Sequence, residues 1–543
     1  MWVVFLSLLL ASSFAISPHD VQDHRFNPVT TRVASVRFDN YGNIEIIDGV
    51  TKDSAATATF DDTLNITGWG VLKVESYPIY EDLDQMYASG FVEGFLTHQR
   101  IYENYQNMYA YFFGTEAPSD ALLEWMDEQE AWVRSQIASP WSVLTDYWKQ
   151  VALIMSQFDG LVAGYNKATN SQPLDTWAFQ MLNGVGDLLD LVSATTPEKR
   201  IPWQSLSPSE FRRAFGANGH CSALVKLTGN YSDMFSGHSS WFTYGAMNRI
   251  YKHYNFNLNA SFVAARQMSF SSYPGFLESL DDFYVLSSGL VMLQTTNSIF
   301  NTELYELVVP QSLLAWQRVR LANSMARTGQ EWSSLVALYN SGTYNNQYMV
   351  IDYKKFTPGQ LLPHGVLWVV EQIPGLVEFA DETSQLERGY WPSYNVPFFE
   401  KIYNLSGYPQ IVAQYGVEYS YQLAPRAQIF RRDQAGVVDL ETFKQLLRYN
   451  DYKNDPYSGG DPGNAICSRY DLETSNPGAF GCYDTKVTSY ALQSQLISHA
   501  ISGPTTSVNL PPFAWTAEFD STVHEGQPIE YDFHFMTMDP DWS

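Results

Sequence analysis

Asn218-Gly219-His220-Cys221-Ser222-Ala223-Leu224-Val225-Lys226-Leu227 decides how this chain reads, because it sets a cysteine where a polar segment meets a strand. Cys221 to Leu227 has the composition of a strand, closed by the turn cluster Thr228-Gly229-Asn230-Tyr231-Ser232-Asp233. Residues 195–219 before it are polar, contain Pro202 and Pro208, and read as a loop that can be cut. A thiol at that junction can attack the peptide bond that precedes it. Cleavage would leave a free α-amino group, with a reference pKa of about 7.7–8.0, on the same residue as the thiol, so that base and nucleophile coincide. The competing reading is a small apolar residue buried at the start of a strand.

Downstream, Ser236-Gly237-His238-Ser239-Ser240-Trp241 reads as a second strand. Tyr244, Met247, Arg249, Ile250, Tyr251 and Tyr254 then read as an aromatic-rich helix. Nearer the N-terminus, Val33–Phe38 and Asn43–Ile47 form a strand pair around the turn Asp39-Asn40-Tyr41-Gly42. Helical patterns cover Leu83–Met108, Ala121–Phe158 and Leu313–Arg327, and strand-like runs recur at Phe262–Met268, Phe283–Leu286 and Leu290–Thr295. Strands grouped with helices in this way predict an α+β protein.

The 543 residues exceed one ordinary core, so two lobes or one large elaborated domain are expected. A 45% hydrophobic and 15% aromatic content argues for dense packing. With 32 basic against 58 acidic side chains the net charge is −26, which repels phosphate backbones and excludes a nucleic-acid partner. Met1 to Ala15 carries a short apolar run, Trp2 to Leu10, ahead of small residues, and reads as a secretory signal too short to span a membrane. No later segment reads as a transmembrane span. Asn65, Asn230, Asn259 and Asn404 open glycosylation triplets. Cys467 and Cys482 flank a loop rich in Gly, Pro and Asn and would pair in an oxidising compartment, which leaves Cys221 as the odd thiol. Gly237-His238-Ser239-Ser240-Trp241 lacks the final glycine of a serine-hydrolase elbow, and His364 reads as a turn residue. No His-Glu-x-x-His pair occurs, so neither a metal nor a cofactor is expected.

Six ordered blocks carry a more specific signal. Cys221 to Lys226, His238-Ser239-Ser240-Trp241, Tyr344 to Lys354, Leu367 to Gly375, Tyr390 to Asn395 and Ala424 to Gln434 together resemble the phospholipase B-like, or lamina ancestor, family. The likeness runs from about Val33 to Trp542. It implies a four-layer αββα sandwich of the N-terminal-nucleophile hydrolase type. It also implies Cys221 as nucleophile, with His238, Trp241, Thr302, Asn395 and Arg426 as further site residues. A carboxamide such as Asn395 suits an oxyanion donor, and Arg426 offers a planar fork that stays charged. The plain readings stand beside these: His238 as a satisfied core histidine, Trp241 as a pocket wall, Asn395 as a turn cap and Arg426 as a carboxylate's partner.

The expected organisation is a signal peptide at 1–15, an N-terminal chain at 16–220 with an excisable polar linker near 195–220, and a C-terminal catalytic chain at 221–543. The expected function is an acyl hydrolase, amidase or esterase. It matures by self-cleavage before Cys221, stays with its own cleaved N-terminal chain, and acts on an acyl-lipid or acyl-amide substrate through a Cys221 thioester. Its expected place is the secretory pathway, lysosomal or extracellular. A non-catalytic secreted or lysosomal binding protein that keeps the fold is the alternative.

Overall fold

A computed structural model describes residues 30–169, 171–217 and 220–542. The expected signal peptide lies outside them. The described residues form a mixed α+β structure around two main sheets. From edge to edge the larger sheet has eleven strands: Leu376–Asp381, Leu367–Ile373, Asn346–Asp352, Leu290–Thr296, Phe283–Leu286, Gln267–Ser272, Ile250–Asn255, Gly70–Ser76, Ala56–Asp62, Thr30–Phe38 and Ile44–Asp48. Its neighbours are antiparallel except where Gly70–Ser76 runs parallel to Ile250–Asn255, with Gly70 opposite Ile250 and Glu75 opposite Asn255. The smaller sheet has the order Tyr390–Ser393, His220–Leu227, Met234–Thr243, Asp484–Ser489, Ser498–Ser502 and Met536–Met538, with Phe480–Cys482 also paired to Met234–Thr243.

Alternation along the strands decides what packs where. Ala223, Val225 and Leu227 point from the smaller sheet towards Phe283, Val285, Val291 and Leu293 of the larger one, and these residues share one core. Leu224, on the opposite face, packs with Phe235 and Val487 beneath Ile411, Phe430 and Phe443 of the helices Tyr408–Tyr415, Pro425–Asp433 and Leu440–Leu447. The outer face of the larger sheet is covered by Asp82–Phe113, Asp146–Ala168 and Ala315–Met325, which contribute Phe91, Leu153 and Val319 to a third core. Two of these helices touch at glycines: a Cβ on Gly90 or on Gly160 would stand 1.9 Å from a facing carbonyl oxygen. No helix among the described residues is long and apolar enough to cross a membrane.

Several expectations need correction. The helix expected after Trp241 is absent: Tyr244–Ala246 makes one 3-10 turn and Ile250–Asn255 is a strand with all six residues buried. Burial on both faces erases the alternation that would have marked it. The helical pattern Ala121–Phe158 splits into Asp120–Ile137 and Asp146–Ala168 around Pro140, whose ring and missing amide end the first helix. In the run Phe262–Met268 the strand begins only at Gln267, because the amides of Ala264 and Ala265 bond to the Ser324 carbonyl instead of to a ladder. The loop expected over 195–220 contains two 3-10 turns and the helix Pro208–Ala217, anchored through buried Trp203 and Phe211. The strand after it starts at His220 rather than Cys221.

Candidate active site

All eight residues of His220–Leu227 are buried, which holds Cys221 rigidly at the mouth of the strand and on its inner face. Register sets its neighbours: Cys221 lies opposite Ser240, His220 opposite Trp241 and Ala223 opposite His238. Two side chains grip the main chain of Cys221. Asn395 accepts a hydrogen bond from the Cys221 amide on Oδ1 at 3.1 Å, and Arg426 Nη1 donates to the Cys221 carbonyl at 2.5 Å and to Ser222 Oγ at 3.2 Å.

Both grips are themselves braced. Asn395 Nδ2 donates to the Thr296 carbonyl at 2.6 Å, and the Asn395 carbonyl accepts from the Tyr408 hydroxyl at 2.9 Å. Asn395 has φ 68°, a left-handed conformation that asparagine tolerates better than most residues. Arg426 follows Pro425 in the first turn of its helix, where proline's fixed φ suits a helix start. Its guanidinium lies 4.3 Å from the centre of the Trp241 ring, a cation–π contact. Burial pulls Arg426 down to about 10, so it stays charged at neutral pH.

Burial pushes the Cys221 thiol up to about 12, against opposing pulls from the Trp241 backbone amide and the Lys486 charge. The thiol is therefore protonated at neutral pH. Cys221 is the free cysteine, since Cys467 and Cys482 form a disulfide. It lines a small cavity with Val185, Trp241, Phe242, Leu280 and Thr296 among its walls.

Behind Ser240 lies a buried ionic network that sequence reasoning missed. Lys486 Nζ contacts Asp281 at 2.5 Å, Asp484 at 2.8 Å, Ser240 Oγ at 2.6 Å and His238 Nδ1 at 3.1 Å. Arg249 lies 3.1 Å from both Asp281 and Asp484. Burial first, and then the Lys486 charge, hold His238 neutral well below its usual value, with Nδ1 facing the ammonium and Nε2 without a partner. His238 lies two residues from Ser240 on the same strand, opposite Ala223, which is two along from Cys221. His238, Asp281 and Asp484 are spaced like metal ligands, yet the Lys486 ammonium already fills the space between them. One signal for this network was readable: Asp484 and Lys486 are two apart in a strand, an acid and a base on one face.

Of the expected site residues, Cys221, Trp241, Asn395 and Arg426 come together and His238 belongs to the adjoining network. Thr302 does not line the Cys221 cavity. It sits on a 3-10 turn and lines a neighbouring cavity, and Thr296, whose carbonyl holds Asn395, lines both cavities. The orientation of Asn395 also differs from an oxyanion donor's, because its carbonyl oxygen faces Cys221.

Comparison with known proteins is consistent along the chain. The family described as Phospholipase B matches residues 56–538. Phospholipase B-like 1 of Rattus norvegicus is 47% identical over 503 residues, covering 92% of this chain and 90% of that protein. Phospholipase B of Crotalus adamanteus is 42% identical over 505 residues, 92% and 91% of the two chains. Phospholipase B-like protein D of Dictyostelium discoideum is 40% identical over 512 residues, 92% and 90%.

Proposed function

This chain belongs to the phospholipase B family and is a hydrolase, and from that premise we propose that it acts on fatty-acyl lipids or amides through a Cys221 thioester, after cutting itself before Cys221. The observation that carries the reading is the double grip on the main chain of Cys221 by Asn395 and Arg426.

The Cys221 thiol attacks the His220 carbonyl, the C–N bond breaks, and the acyl group moves to sulfur while the nitrogen leaves as a free amine. Water then hydrolyses the thioester, leaving a His220 carboxylate and a free thiol. The released α-amino group, still facing Asn395 Oδ1, takes up the thiol proton that the uncut chain cannot lose, because its reference pKa of about 7.7–8.0 lies near neutrality. In turnover the thiolate attacks the substrate acyl carbon, the α-ammonium protonates the leaving alcohol or amine, and water resolves the acyl-enzyme.

On this reading the two sheets and their outer helices form the αββα sandwich of an N-terminal-nucleophile hydrolase, cut into chains 16–220 and 221–543 with trimming within 195–220. A secretory, lysosomal or extracellular location is supported by the disulfide Cys467–Cys482 and by the exposure of Asn65, Asn230, Asn259 and Asn404, all free to accept glycans. Intact mass and N-terminal sequencing of the mature protein test the proposal. A chain beginning Cys-Ser-Ala-Leu-Val is expected, slower cutting in Cys221→Ser, and a single uncut chain in Cys221→Ala. Cutting of Cys221→Ala at the same bond without added protease overturns it.

A further inference from the structure

We propose that the cavity adjoining the Cys221 chamber is a head-group site, which takes the phosphate and glycerol of a lysophospholipid whose acyl carbonyl lies at Cys221. The inference rests on the acyl-hydrolase reading of Cys221. The second cavity shares Leu189 and Thr296 with the first, so the two meet beside the nucleophile. Their chemistry differs in the sense an acyl ester requires. Val185, Phe242 and Leu280 make the Cys221 side apolar, whereas Arg200, Asp190 and Asn297 make the other side polar.

Two features of that wall call for a ligand. Arg200 donates from Nε to the Ser193 carbonyl at 2.8 Å and lies 5.7 Å from the centre of the Tyr305 ring, yet it pairs with no carboxylate among the described residues. That leaves the rest of its fork for an anion, and a guanidinium matches phosphate geometry. Asn297 is only 3% exposed, and neither Oδ1 nor Nδ2 has a hydrogen-bond partner. Buried carboxamides are ordinarily satisfied, so a donor and an acceptor left open on a cavity wall suit glycerol hydroxyl and ester oxygens. Asp190 does not oppose the assignment. Its oxygens accept from the Tyr305 hydroxyl at 2.9 Å and from Asn345 Nδ2 at 3.1 Å, and burial lifts its carboxyl to about 6. In acidic medium it is neutral, and Arg200 is then the charge that a phosphate meets.

The test compares kcat/KM of the processed enzyme for a lysophospholipid and for a monoacylglycerol with the same acyl chain. Wild type should favour the lysophospholipid. Arg200→Gln should lower that preference about 10- to 100-fold, mainly through KM, the equivalent of one charged hydrogen bond. Arg200→Lys should restore part of it, and Asn297→Leu should lower it independently. sn-Glycerol 3-phosphate should compete with the lysophospholipid better than inorganic phosphate does. If Arg200→Gln does not fold, calorimetric binding of sn-glycerol 3-phosphate to the uncut Cys221→Ala chain decides, with absence of binding counting against the site. A preference that Arg200→Gln leaves intact, in an enzyme whose activity needs Cys221, overturns the head-group assignment alone. So does a mature N-terminal chain that ends before Arg200. Equal competition by inorganic phosphate would mark a site for the free anion instead. Absence of Cys221-dependent hydrolysis of either lipid defeats the acyl-hydrolase reading and the head-group site with it.

Discussion

Asn395 is the residue where position and chemistry are hardest to separate, because one carboxamide joins the Cys221 amide to the Thr296 carbonyl. Asn395→Ala should leave both groups unmet in the interior, at about 1–3 kcal/mol each, with added strain from a left-handed alanine. Melting temperature and the cut fraction on a gel should fall together, and a variant that melts and matures like wild type would refute the role. Arg426→Lys should slow cutting about tenfold or more, since an ammonium replaces the fork that reaches both the Cys221 carbonyl and Ser222 and a charged hydrogen bond is lost. Rates of chain cleavage in fresh, unprocessed protein measure this. Glu371 offers a test by pH. Its carboxylate accepts from the Phe398 and Phe399 amides at 2.7 and 2.9 Å and from Gln347 at 2.6 Å, but burial outweighs these bonds and lifts it to about 7 from an ordinary value of 4.5. Because the folded state holds this proton more tightly than the unfolded chain, its stabilising contribution is full below pH 4.5 and is lost as pH rises through 7, at up to about 1.4 kcal/mol per pH unit. Thermal melts of Glu371→Gln should therefore fall less between pH 5 and 7 than those of wild type.

Among the elements, the segment Pro208–Ala217 ties the chain leading to Cys221 to the core. Phe211 stacks on Tyr415 with ring centres 3.9 Å apart and also meets Trp203 and Phe300. Phe211→Ala should cost the uncut chain about 3–5 kcal/mol, measured by denaturant titration, and a cost below 1 kcal/mol would mean that the segment is only loosely seated. The paired helices Asp82–Phe113 and Asp146–Ala168 make a sharper case. Alanine at Gly160 gains up to about 1 kcal/mol of helix propensity, but its Cβ would strike the Tyr87 carbonyl, so Gly160→Ala should lower the melting temperature. Elements with a clear apolar signature were legible in the sequence: the unbroken apolar run Phe283–Leu286 is a strand, and the helix Asp82–Phe113 covers the helical pattern Leu83–Met108. Ile250–Asn255 was not, because a strand buried on both faces shows no alternation, and its aromatic residues imitate a helix. The candidate site divided in the same way. Cys221 stood out by position and Trp241, Asn395 and Arg426 by the family resemblance, whereas Arg249 and Asp281, in loops just before strands, and Lys486, within a strand, lie far apart in sequence and meet only in the fold.

At the scale of the whole molecule, the larger sheet is built from both sides of the Cys221 junction. Its strands between residues 30 and 76 join the rest along one seam, Gly70–Ser76 against Ile250–Asn255. After cutting, the two chains should elute together from a sizing column in native buffer and separate in denaturant. The parallel direction of that seam carries a further consequence. Parallel neighbours need a long crossover, and here the crossover contains the His220–Cys221 bond, so the connection that first brought these two strands side by side is the one that the proposed maturation would sever. Before the cut, folding is a first-order event within a single particle. Afterwards, unfolding releases two particles, and renaturation becomes a second-order encounter whose yield depends on dilution. The precursor should recover from denaturant independently of its concentration and the mature form should not, which makes the mature enzyme's persistence a matter of unfolding rate rather than of equilibrium.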